Sequence, residues 1–402
     1  MANEQQLNLL KEGVEAWNQW RQINPEIRPD LNGADLHSCD IGAVNLVGAA
    51  MRSSDLSGAN LMGADMRRAD LAGANLSGAY LSNADFSEAN LTEVNLSEAY
   101  LFEADLSRVN LNGADLHWVY LGKADLSGAY MIGANLNEVD LRGANLIGAN
   151  LSEANLKAAN LTGADLQGAD LRWADLQGAN LMGARLLKTS FEQANLEGCS
   201  IYGISCWGLN LEGANQSNLI ITPPGEPTIA VDNLEVAQFI YLLLNHKQIR
   251  EVINTVPSKI VLLIGRLTKP ERKEVLEAIR EKLRQRNYLP ILFDLEKPGG
   301  RDRVETVSCL ASMARFIIAD LSDAKNIPQE LQSIVHEVEL VPLQVLLQAG
   351  AKDAAMLEPF KKYPLVLEPY RYENVEEAIA FLYEKVIAPV EAKANELIKS
   401  NN

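Results

Sequence analysis

Every fifth residue from Leu31 to Leu211 is large and apolar, and only Cys206 departs from Leu, Ile, Met or Phe. The residue two places earlier is usually Ala, and the one just before is usually Asp or Asn. Gly often follows two places later, as in ADLQGADLRWADLQGANL from Ala164 to Leu181. A period of five matches neither the helical repeat nor the alternation of a strand. It predicts a supersecondary repeat whose unit cannot bury its own apolar residue and must stack on copies of itself. Ala suits a tight interior, while Asp, Asn and Gly suit turns at corners.

An open end of such a stack exposes apolar cross-section and unpaired strand edges, so each end needs a cover. Asn3 and Gln6 form a capping-box start, Leu7, Leu10, Val14 and Trp17 share one helical face, and Pro25 and Pro29 stop the helix. The pattern predicts one capping helix from Asn3 to Gln22. At the other end Thr189, Cys199, Ile204 and Leu209 replace the interior Ala, which predicts a widened final coil.

Beyond Pro223 the pattern changes. ITPPGEPT, from Ile221 to Thr228, reads as a stiff connector, and Asp232 with Glu235 as a capping box opening an apolar helix. Apolar runs then alternate with helical patterns. Strands are predicted at Lys259–Ile264, Pro290–Asp294, Arg315–Ala319, Val341–Leu347 and Leu365–Leu367. Helices are predicted from Thr268 to Asn287, Asp302 to Met313, Pro328 to Glu337, Ala355 to Tyr363 and Val375 to Lys399. Strands apolar throughout imply a parallel sheet covered on both faces, and short right-handed crossovers favour a flavodoxin-like doubly wound order. The resulting division is 1–29 for the cap, 30–221 for the repeats, 222–257 for the linker and connecting helices, and 258–402 for the α/β domain.

Composition narrows the function. A net charge of −17 disfavours direct binding to nucleic acid or to anionic membranes and favours basic partners. Cys39, Cys199, Cys206 and Cys309 have no zinc-ligand spacing and read as buried free thiols in a reducing compartment. The histidines at 37, 117, 246 and 336 make no metal or triad spacing. With no signal pattern and no stretch of membrane-spanning length, a cytoplasmic location is expected. KPGGR from Lys297 to Arg301 reads as a loop rather than a phosphate cradle, and the charges from Lys269 to Arg286 read as a solvated helix face. No resident cofactor is expected.

The A-(D/N)-L-x-x run resembles the pentapeptide repeat proteins. That resemblance implies a right-handed, four-sided β-helix in which four pentads make a coil and residues twenty apart stack. At ~4.8 Å per coil, about nine coils would give a length on the order of 45 Å. It also points to a surface role, because some members are acidic rods that imitate duplex DNA and bind type II topoisomerases. Leu31 to Ile221 carries 10 Lys/Arg against 22 Asp/Glu, a net of −12. Stacking would set Asp65, Asp85, Asp105 and Asp125 in one column, continued by Asn145 and Asp165, and Tyr80, Tyr100 and Tyr120 in the next. Either this column is functional, or Asp and Asn are interchangeable at these positions and the tyrosines are a stabilising ladder.

In a doubly wound sheet, ligands bind at the carboxyl ends of the strands. The predicted strands place Gly265, Arg266, Asp294, Asp320, Ser322 and Asp323 there, with Glu330 a turn into the third helix. Phe316 to Val335, FIIADLSDAKNIPQELQSIV, resembles the strand-loop-helix of TIR-like and nucleoside-deoxyribosyltransferase-like domains. The resemblance implies that Glu330 is the carboxylate that attacks or stabilises the anomeric carbon as an N-glycosidic bond breaks, as in an NAD nucleosidase. Gln332 stands where those families frequently have Gly. The alternative use of Glu330 is to complement a helix N-terminus. The combination looks like rod-plus-α/β proteins frequent in cyanobacteria. It implies an interaction scaffold in signalling or defence, with a protein partner or self-association, and with NAD or another nucleotide as ligand.

Overall fold

The structure, a computed structural model, describes residues 2–245, 259–266, 269–294, 303–322, 331, 341–349 and 363–401. The chain forms two compact units, Met1–Leu219 and Ile220–Asn402. Among the described residues no helix is long and apolar enough to cross a membrane.

In the first unit, parallel bridges link one residue of each pentad to the one twenty further on, from Asp30 with Ala50 to Asn195 with Asn215. Four pentads therefore make one coil of a parallel β-helix. The central apolar residues from Leu31 to Cys206 are all buried, and almost all of the residues two before them are buried Ala or Val. Each pentad turns through a hydrogen bond such as Ala59 N–H to Leu56 O, at 3.0 Å, and bonds to neighbouring coils through Leu56 N–H to Asn75 O and Asp55 N–H to Ala34 O.

The corner residue is not the expected Asp or Asn before the central Leu, although Gly is found at corners as expected. It is the residue two after the central Leu, which has positive φ in every pentad from Gly33 to Asn218, as the third position of a type II turn requires. Gly holds only about half of these positions. Asp and Asn sit in the extended bridge instead, where their Oδ1 accepts the N–H two residues on, as Asp85 does from Ser87 at 2.9 Å.

Two helices cover the first coil where one was expected. α1 (Glu4–Glu12) and α2 (Val14–Ile23) are separated by Gly13, whose φ of 139° no helix allows. Asn3 caps α1 through Gln5 and Gln6 N–H, while the Gln6 side chain accepts from Asp30 N–H rather than closing the box. From α2, Trp17 Nε1, Asn18 Nδ2 and Arg21 Nη2 donate to the carbonyls of Asn45, Ala43 and Val47. Leu10 and Trp17 are buried, whereas Leu7 and Val14 are half-buried. The edge that would otherwise recruit another strand is thereby satisfied. At the far end two adjacent coils pair as β1 (Arg185–Leu187) and β2 (Ser205–Trp207). Thr189 and Cys199, both buried, donate to Leu166 O and Leu176 O, and the turn bond from Ile204 N–H to Ile201 O stretches to 3.5 Å.

The second unit contains a mixed sheet. Its strands are β3 (Leu219–Ile220), β4 (Ile229–Val231), β5 (Ile260–Gly265), β6 (Leu289–Asp294), β7 (Phe316–Asp320), β8 (Leu343–Gln348) and β9 (Tyr370–Tyr372), in the order β3-β4-β6-β5-β7-β8-β9. The five strands from β5 to β9 are parallel and stand in the 2-1-3-4-5 order of a doubly wound sheet. Successive residues of β5 and β7 are buried on opposite faces. One face packs Val261, Leu263, Phe316 and Ile318 on α4 (Pro270–Arg284) and on the C-terminal helices. α5 (Arg303–Met313) packs on β5.

Four expectations are corrected here. ITPPGEPT is a tight return rather than a connector: Ile221 N–H donates to Ile229 O, and β4 then joins the sheet antiparallel to β6. The helix that follows, α3 (Leu234–Asn245), is capped by Asn233, which accepts from Val236 N–H, because Asp232 is drawn into ion pairs with Arg280 and Arg284. The last strand is Tyr370–Tyr372. Val366 forms only an isolated bridge to Leu343, since Pro369 has no N–H to extend the ladder. The final helix is broken into α6 (Val375–Ala380), a π-helical turn over Tyr383–Ile387 and α7 (Ala388–Asn401), with Pro389 removing a helical donor at the junction. The predicted helices at Pro328 to Glu337 and Ala355 to Tyr363 fall, except for Leu331 and Tyr363, outside the described residues, as does the loop from Lys297 to Arg301.

Candidate functional site

The parallel strands reverse their winding between β5 and β7. Gly265 ends β5 and Asp320 ends β7, so Gly265, Arg266, Asp320 and Ser322 flank the switch point, and Asp294 pairs with Gly265 across β5 and β6. A Cβ on Gly265 would meet Leu276 Cδ1 at 2.6 Å, so glycine here permits the close approach of α4 to the sheet. Asp323 and Glu330 lie outside the described residues.

Asp320 is buried and accepts three hydrogen bonds: Ser322 N–H at 2.9 Å, Ser322 Oγ–H at 2.6 Å and Tyr372 O–H at 3.0 Å. Arg272, in the first turn of α4, donates to Tyr372 Oη at 2.7 Å and to Gln348 Oε1. Gln348 N–H in turn donates to Ser322 Oγ at 2.8 Å. The carboxyl ends of β7, β8 and β9 are thus tied to the start of α4 by one polar network. Burial, and next the Asp320 carboxylate, push the Tyr372 phenol up to about 12, so at neutral pH it stays a donor. The arrangement fixes the Asp320 carboxylate at the edge of the crevice.

The sequence located Asp320 and Ser322 but not Arg272, Gln348 or Tyr372. Arg272 belonged to the charge run expected to be a solvated face, yet Arg272 and Arg280 are both buried. Their spacing held the signal: Arg272 precedes Leu276 by four residues and Arg280 follows it by four, on the apolar stripe of Val275, Leu276, Ile279 and Leu283. Among the described residues no group of three or more His, Cys, Asp or Glu is placed to hold a metal ion.

The β-helix carries a second surface. Asp65, Asp85, Asp105 and Asp125 are successive bridge partners, continued by Asn145 and Asp165. Arg67 pairs with Asp65 at 2.6 Å and approaches Asp85 at 3.6 Å, and Arg185 pairs with Asp165 at 2.9 Å. Among the described residues Asp105 and Asp125 form no ion pair. Asp and Asn are not interchangeable in these columns. On the opposite face of the coil Asn135 Nδ2 donates to Asp115 Oδ1 at 2.9 Å and Asn155 Nδ2 to Asn135 Oδ1 at 3.1 Å, donations that a carboxylate cannot make. Beside the acidic column, Tyr80, Tyr100 and Tyr120 stack with centroids 5.3 and 5.1 Å apart, and each is about half exposed.

Comparison with known proteins places the repeats in a family. Pentapeptide repeats match in eight copies, in segments running from residues 30–68 to 179–215. HetL, a pentapeptide repeat protein involved in heterocyst differentiation regulation from the cyanobacterium Nostoc sp. strain PCC 7120, is 31% identical. That match covers 50% of this chain and 95% of HetL, with a TM-score of 0.38. The chain belongs to the pentapeptide repeat family. A second such protein of Nostoc PCC 7120, alr5209, is 37% identical over 26% of this chain and 83% of its own, with a TM-score of 0.16. A trypsin-treated form of QnrB1, a plasmid-mediated fluoroquinolone resistance protein, is 19% identical over 44% of this chain and 88% of its own, with a TM-score of 0.41. No curated protein matches the chain. The pentads of this family member account for the first unit, and none of these matches names an activity for the second.

Proposed function

We propose that the pentapeptide-repeat unit is an interaction scaffold for a protein partner and that residues 258–402 form a TIR-like domain that binds a nucleotide. The observation that carries the nucleotide reading is the position of Gly265, Arg266, Asp320 and Ser322 at and just past the carboxyl ends of the two strands that flank the switch point, where doubly wound sheets hold ligands. Arg266 supplies charge for a phosphate, and Asp320 supplies an oriented acceptor for a ribose hydroxyl. The test is thermal unfolding of the full chain with adenine nucleotides. Binding to the folded form raises the midpoint, and Arg266→Ala removes that rise. No shift at millimolar nucleotide rejects this part of the proposal.

The resemblance around Phe316 to Val335 adds a reaction to this reading, cleavage of the N-glycosidic bond of NAD with Glu330 as the carboxylate. Release of nicotinamide by the full chain, lost in Glu330→Ala, tests it. For the scaffold, a second reading is an acidic DNA mimic that binds a type II topoisomerase, favoured by the carboxylates of Asp105 and Asp125, which among the described residues form no ion pair. Inhibition of a topoisomerase that weakens as salt rises supports it, and no effect at stoichiometric excess ends it.

A further inference from the structure

Trp118 stands between two carboxylates of its own column. Glu98, Trp118 and Glu138 are each twenty residues apart, all have positive φ, and all occupy the same turn position on successive coils. Among the described residues no basic side chain pairs with Glu98 or Glu138. Trp118 is 51% exposed and borders the face on which Tyr100 and Tyr120 stack. Phe102 lines the opposite border of that face. Together these exposed rings gather on and beside one face of the β-helix, the pattern of an interaction surface.

The strip also shows which chemistry it accepts. At the Phe102 border the Lys123 ammonium lies 5.2 Å from the Phe102 ring centroid and 3.3 Å from Glu103 Oε1, so one cation of this chain is already held between a ring and a carboxylate. The Trp118 border presents the same two partners, a better ring and two carboxylates, with the His117 ring edge-on to the indole and, among the described residues, no Lys or Arg paired with either carboxylate. We infer that the Tyr100, Tyr120 and Trp118 strip, with Glu98 and Glu138, docks an extended arginine-bearing segment of a partner protein. Stacked parallel rings suit the flat guanidinium better than the ammonium of lysine. The net −12 of the repeats attracts a basic segment and opposes pairing with a second copy of the same surface. The inference deepens the scaffold reading and rests on it.

The test is the binding of labelled oligoarginine and oligolysine peptides of equal length to the full chain, followed by fluorescence anisotropy at about 0.15 M salt. Trp118→Gly keeps the turn, since glycine serves at many equivalent corners. It is expected to weaken the arginine peptide about fivefold and the lysine peptide less. The pair Glu98→Gln and Glu138→Gln is expected to do the same. The pair Glu93→Gln and Glu212→Gln removes equal charge from another corner and is expected to change affinity less than about twofold. Equal losses from both pairs, or no loss from Trp118→Gly, overturn the Trp118 site while leaving an acidic binding surface. No binding of either peptide up to about 1 mM overturns the site and the attraction of basic partners together.

Discussion

The Tyr372 hydroxyl donates to the Asp320 carboxylate at 3.0 Å, joining the last strand of the sheet to the strand end where the candidate crevice begins. Tyr372→Phe removes this donor and the acceptor of Arg272 while keeping the ring. The second unit is expected to lose about 1–3 kcal/mol in denaturant unfolding, the cost of leaving buried partners unsatisfied. An unchanged midpoint would show that the network adds no stability.

The same phenol gives a pH signature. Its folded pKa is about 12 against 10.0 in the unfolded chain, so its stabilisation is complete below pH 10 and is lost as pH rises towards 12. Over that window the wild type is expected to lose about 2 kcal/mol more than Tyr372→Phe. Parallel curves for the two proteins between pH 9 and about 12 would contradict the assignment.

Asp232 bridges the guanidiniums of Arg280, which is fully buried, and Arg284. Asp232→Ala leaves a buried positive charge without its main partner and is expected to cost about 3–5 kcal/mol. The measurement is denaturant unfolding followed on the second unit. A loss below about 1 kcal/mol would mean that Glu277, 3.2 Å from Arg280, suffices alone.

In the acidic column Asp105 stacks between Asp85 and Asp125 and among the described residues pairs with no cation, whereas Asn135 on the opposite face donates to Asp115. Asp105→Asn is therefore expected to stabilise the β-helix by about 0.5–1 kcal/mol, and Asn135→Asp to destabilise it by a similar amount. Thermal unfolding by circular dichroism reads both. Equal midpoints for the two variants would restore the view that Asp and Asn are equivalent there.

Burial pushes the Cys199 thiol up to about 12, whereas Cys39 is only half-buried. Of the four free cysteines, a thiol reagent at pH 8 is expected to modify Cys39 first and Cys199 only on unfolding. Peptide mapping of the modified protein decides the order.

Much of the α/β unit was legible as alternating apolar runs and helical stripes, because a parallel strand buried on both faces is apolar throughout. β5, β6, β7 and β8 fall within two residues of their expected bounds. The departures from that pattern have two causes. Gly13, Pro369 and Pro389 act through backbone geometry at one residue, and an averaged apolar pattern passes over them. Asp232 and Arg272 depart from their expected roles because charge at helical spacing does not reveal whether a partner waits elsewhere in the fold.

By itself, the sequence determined which residues line the interior of the β-helix and that residues twenty apart share a column. Each coil repeats the last, so local period and tertiary neighbour are the same fact. It also set the succession of strands and helices beyond Pro223. Only the tertiary structure decided that ITPPGEPT folds back to add an antiparallel edge, that Asp232 meets Arg280, and that Arg272, Ser322, Gln348 and Tyr372 gather around Asp320. Those partners lie tens of residues apart. Their meeting depends on the order in which strands enter the sheet, and no periodicity along the chain records that order.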